Sequence, residues 1–99
     1  MGELDDEITN EIFLEELKQE FAENAAWSVQ EMKKLLGEKS YKRLAEIAHD
    51  IKGTAGLFGY DEGGNLADRI VVAARRKKPG DTEKYLEELT VYFRKKEVI

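Results

Sequence analysis

Ser40 to Tyr60 reads SYKRLAEIAHDIKGTAGLFGY, and its spacing sets the architecture of the chain. Tyr41, Leu44, Ala48, Ile51 and Ala55 recur every three or four residues, the period of a helix with one face in a core. Ser40 is a good N-cap type, and the pattern fades between Leu57 and Gly59. At 100° per residue, His49 falls about 130° from the core axis of this helix. Its imidazole is therefore expected at the solvent side or the rim, and it is the only histidine in the chain. Residues three, four and seven apart share a helix face, which groups Ala45, Lys52, Gly53 and Gly56 around it.

The same period extends outward in both directions. Upstream, Leu14, Leu17, Phe21, Ala25, Val29, Met32 and Leu36 form one stripe, with Gly37 as its stop. At 1.5 Å per residue such a helix reaches roughly 40 Å, longer than its neighbours can cover, so an overhang or bend near its start is expected. Downstream, a helix opens at Asp61 and carries Leu66, Ile70, Ala73 and Ala74. Arg75-Arg76-Lys77-Lys78 supplies cations for its last turn ahead of Pro79-Gly80, a conventional stop. The last helix, capped by Asp81 or Thr82, carries Tyr85, Leu86, Leu89, Tyr92 and Phe93. Helices over about 9–36, 40–58, 61–78 and 81–96, with short connections, predict an all-α, antiparallel up-and-down four-helix bundle forming a single domain over residues 1–99.

Composition bounds the function. Ninety-nine residues, 41% hydrophobic and 37% charged, allow one core and no separate nucleotide-binding lobe. No apolar run approaches the roughly 20 residues of a membrane span, and the acidic opening MGELDDEITN is no secretory signal. The absence of cysteine excludes disulfides and thiolate metal sites, in keeping with a cytoplasmic location. A net charge of −5 argues against nucleic acid or an anionic membrane as partner.

The chemistry gathers at His49. A glycine inside a helix costs about 1 kcal/mol relative to alanine, and here two lie on the histidine's side and not on the core side. Their use is clearance: a large partner can bring its own reactive group down onto the imidazole. Close packing against another helix, or an early helix end, is the rival explanation. Lys52, one turn from His49, can pair with an anion attached to the ring, and a phosphoryl group with nearly two negative charges wants such a partner. A neutral imidazole keeps one nitrogen lone pair for attack. Together these features suit reversible phosphoryl transfer.

Other readings are weaker. Glu46-Ile47-Ala48-His49 has the spacing of a di-iron motif, but such sites need two copies projecting into the core. Gly53-x-x-Gly56-x-x-Gly59 lacks the preceding strand and the Lys-Ser/Thr of a phosphate-binding loop. Nothing sets Ser28 or Ser40 beside His49 for a hydrolase. The basic run at 75–78 is most simply helix-end electrostatics, with an acidic partner patch as the alternative. A purely structural adaptor bundle that binds a partner without phosphorylation is the main competing function.

His49-Asp50-Ile51-Lys52-Gly53-Thr54-Ala55-Gly56 resembles the His-x-[Leu/Ile]-Lys-Gly-x-x-Gly signature of histidine-containing phosphotransfer (HPt) domains, including the phosphotransfer domain of chemotaxis kinases. The likeness continues through Leu57-Phe58-Gly59-Tyr60, through Leu66, Ala67 and Ile70, and to an upstream Phe-Leu-Glu-Glu at Phe13 to Glu16. Two positions depart from the family pattern: Gly63, where an aliphatic residue is common, and Val71, where an acidic one is frequent. The resemblance implies a four-helix bundle that is phosphorylated on His49 and exchanges the group with a receiver-domain aspartate. It further implies that Lys52 holds the phosphoryl group, Gly53 keeps the approach open, and Gly56 and Gly59 support the helix exit. A phosphocarrier of this kind is no enzyme on its own. It needs no cofactor, since Mg²⁺ is expected to arrive with the partner receiver domain. A response-regulator receiver domain, a sensor histidine kinase, or both are the expected partners of a monomer. Ala45, Gly53 and Gly56 are the expected contact residues, with Phe13 and Trp27 of the first helix as further candidates.

Overall fold

The computed structural model describes the backbone of residues 3–99 and the side chains from Asn10 onward. The described backbone forms four helices: α1 (Glu3–Gly37), α2 (Tyr41–Leu57), α3 (Asp61–Arg75) and α4 (Pro79–Lys95). Neighbouring helices run in opposite senses. Lys52, late in α2, meets Gly64 early in α3 and Asp68 at its middle, while Ala45 and Ala74 line one groove at the other end of the pair. Likewise Gly63 at the start of α3 lies under Tyr92 near the end of α4, and Arg69 stands over Tyr85. The architecture is the predicted all-α bundle.

One core runs the length of the bundle. Val29, Met32, Leu44, Ala48, Ile51, Ala67, Ile70, Leu89 and Phe93 are all essentially inaccessible to solvent. At one end Phe21 packs its ring against Phe58, Tyr60 and Phe93 at centroid distances of 5.1, 5.7 and 5.9 Å. This cluster explains the Phe-Gly-Tyr step of the sequence. Gly59 adopts φ +81°, which L side chains rarely take, and the turn brings both Phe58 and Tyr60 against the Phe21 ring. The Tyr60 amide donates to the Ala55 carbonyl at 2.9 Å and the Gly59 amide to the Gly56 carbonyl at 3.2 Å, closing α2 with a Schellman cap.

The other three helices end in the same double hydrogen bond, but with Lys39, Lys77 and Glu97 at the left-handed position. The expected stop at Gly37 is therefore corrected: Gly37 is the last helical residue, and the chain reverses at Lys39. Pro79 is also reassigned. It opens α4 at its first turn, where a missing N–H costs nothing, so α3 ends at Arg75 rather than Lys78. Asp81 and Thr82 lie inside that turn instead of capping it, and the Thr82 hydroxyl donates to the Lys78 carbonyl at 2.7 Å. Ser40 holds the N-cap position of α2 without a side-chain capping bond.

Helix α1 begins at Glu3, earlier than its stripe indicated, and it overhangs. Ile12, Phe13 and Leu14 are exposed, Leu17 is half-buried, and Phe21 is the first buried apolar residue among those described. The molecule measures 56 × 23 × 18 Å, its long axis matching the roughly 52 Å of a 35-residue helix.

Both departures from the family pattern turn out to be packing positions. Val71 is buried in the core. A Cβ at Gly63 would lie 2.9 Å from Tyr92 Cε1 and 3.2 Å from Phe93 Cε1, and one at Gly64 would lie 3.4 Å from the Lys52 carbonyl oxygen. Small residues thus let α3 sit close to both neighbours. Gly63→Val is expected to destabilise the fold by about 2 kcal/mol, since overpacking a tight contact typically costs 1–3. The thermal midpoint should fall by roughly 10 °C in a melt followed by circular dichroism.

Candidate functional site

The buried residues of α2 are Leu44, Ala45, Ile47, Ala48, Ile51 and Ala55, which leaves His49 on the outer face near the middle of the helix. The imidazole is exposed, and it takes part in no hydrogen bond or ion pair among the described residues. Helix periodicity alone produces this orientation, because every core-facing position around it is taken by an aliphatic side chain.

Gly53 and Gly56 lie on the same outer face and within the helix. A Cβ built at either one meets no atom within 4 Å outside its own stretch of helical backbone. Neither glycine is therefore needed for helix packing, in contrast to Gly63, and the space over both positions is open. Leu57 continues this face and is 82% exposed, the most exposed large apolar side chain among the described residues. The fading hydrophobic pattern at the end of α2 concealed it, since an apolar residue off the stripe gives no period.

Ala45 is a correction. It was expected on the contact surface, but only 3% of it is accessible, and it belongs to the core cluster. At about 90° from the core axis it should border solvent, yet α3 comes so close through its own small residues that the position is covered.

Lys52 is held in a way the sequence did not show. Its ammonium donates to Asp68 Oδ1 of α3 at 3.0 Å, with both side chains about half exposed, at 48% and 49%. On the other flank of His49, Glu46 pairs with Arg43 at 3.4 Å. Two ion pairs thus bracket the exposed ring along α2. Among the described residues, no group of three or more His, Asp or Glu side chains is arranged to hold a metal ion.

Phe13 and Trp27 are both exposed on α1. The Phe21–Phe58 contact fixes the register of α1 against α2. It places Trp27 level with the middle of α2 and Phe13 on the overhang, beyond the end of α2.

A family model described as the Hpt domain matches residues 12–94, most of the chain. The chain belongs to the Hpt family. Searches of curated proteins and of solved structures return no match to it. Hpt domains are helical bundles that act as phosphocarriers in histidine phosphotransfer, and family membership ties the chain to phosphorelay signalling. Among the described residues of this Hpt chain, no helix is long and apolar enough to cross a membrane.

Proposed function

We infer that this Hpt domain carries a phosphoryl group on His49, exchanging it with the aspartate of a receiver domain. The observation that supports this most is an exposed imidazole beside two in-helix glycines whose missing side chains would touch nothing. The lone pair of an imidazole nitrogen attacks the phosphorus of the receiver's aspartyl phosphate. The N–P bond forms as the P–O bond to the carboxylate breaks, and the aspartate leaves with the electron pair. Running the step backward returns the group to the receiver. Such transfers need alignment and charge neutralisation more than covalent help. Gly53 and Gly56 permit the alignment, Leu57 gives the incoming domain an apolar footing, and Lys52 supplies positive charge one turn from the ring. A divalent metal bound by the receiver would supply further charge neutralisation for the phosphoryl group. A sensor kinase domain can load His49 through the same face, and the chain by itself acts as carrier, not enzyme, with the cytoplasm as its place of work.

Incubation with a receiver domain phosphorylated by radiolabelled acetyl phosphate tests this directly. The expected outcome is label on the Hpt chain that survives alkali and is lost in acid, as a phosphoramidate is. A panel of receivers that dock on the chain and leave no label would instead mark it as a binding adaptor.

A further inference from the structure

The Lys52–Asp68 pair is more than a staple between helices. Exposed pairs of this kind contribute little to stability, and both partners here are about half exposed. What the contact does fix is where a positive charge resides. Lys52 is three residues from His49, close enough for its ammonium to meet a group on the ring, and the carboxylate that engages it projects from the neighbouring helix. An ammonium has three N–H donors and Asp68 uses one, leaving two for phosphoryl oxygens.

We propose that Asp68 acts through Lys52: it partly neutralises the ammonium that would serve a phosphoryl group on His49, so that phosphohistidine is stabilised only moderately. The inference rests on His49 being the phosphoryl acceptor. Before transfer, the Lys52 charge is shared with one carboxylate. After transfer, the same ammonium serves a carboxylate and a phosphoryl group of nearly two negative charges. Asp68 weakens that second interaction twice: it competes for the donors, and its own charge repels the phosphoryl oxygens. Both effects have the same sign. The carrier is thereby kept from becoming a trap, and the group stays transferable.

Asp68→Asn removes the competition and the repulsion while preserving shape. At low ionic strength, the equilibrium constant for transfer from the phosphorylated receiver to the Hpt chain should rise about 5- to 10-fold, with the thermal midpoint nearly unchanged. Asp68→Glu, which keeps the charge, should restore most of the parental value. In a Lys52→Met background the Asp68→Asn shift should shrink to 2-fold or less, since only repulsion remains. Glu46→Gln serves as a control for plain charge removal, and its effect should be independent of Lys52. A merely structural staple would lower the melting point and leave the constant where it was. If the parent chain takes label but Asp68→Asn leaves the constant unchanged or lowers it, the assignment of Asp68 is wrong while the carrier reading stands. If the parent takes no label from any receiver, the carrier reading fails and this inference with it.

Discussion

Replacing His49 with glutamine should reduce the label accepted from a phosphorylated receiver to background, a loss of at least 1,000-fold, while the melting curve stays where it was. Glutamine is close in size, is tolerated on a helix surface, and removes the only imidazole in the chain. The exposed ring lies outside the core and takes part in no hydrogen bond among the described residues, so its loss costs the fold almost nothing. Function and stability are separable at this position because the side chain does no packing. Residual acid-labile label in His49→Gln would place the acceptor elsewhere.

Gly53→Leu should move stability and activity in opposite directions. The site is helical and open, with nothing within 4 Å of a new Cβ, so leucine gains helix propensity worth up to about 1 kcal/mol. The same side chain fills the space one turn from His49 into which a receiver must descend. Transfer should slow by at least 100-fold, equivalent to about 2.7 kcal/mol in the barrier. Gly53→Ala, with one methyl, should keep the stability gain and lose far less rate. Stopped-flow or quenched transfer assays beside thermal melts read both quantities. If Gly53→Leu transfers as fast as the parent, the clearance argument is wrong even if His49 is the acceptor.

Much of this was legible in the sequence because it depends on one period. The four stripes give the helices, and the angle of His49 to the α2 stripe gives its outward face without any knowledge of neighbours. What depends on a neighbour was not legible. Asp68 and Lys52 are sixteen residues apart, and only the antiparallel register of α2 and α3 brings them together. Ala45 failed for the same reason: its angle is borderline, and the close approach of α3 decides its burial. Gly63 appeared only as a departure from a family pattern, and its reason is the Tyr92 and Phe93 rings that α4 lays over it. Helix ends were misplaced where left-handed residues are not glycine. Lys39 and Lys77 reverse the chain as Gly59 does, held there by two hydrogen bonds apiece, and a lysine carries no sign of that in a sequence. That α1 is already helical at Glu3 was not legible, because the apolar stripe that marks it starts only at Leu14.

The most direct measurement takes advantage of the chain having a single histidine. The protein is grown with 15N-labelled histidine, charged by a phosphorylated receiver, and observed by 31P and 15N NMR. The account predicts a phosphoramidate phosphorus resonance coupled to one ring nitrogen, lost when unphosphorylated receiver is added. A phosphorus signal with no coupling to the ring, or coupling that a fresh receiver cannot discharge, would contradict it.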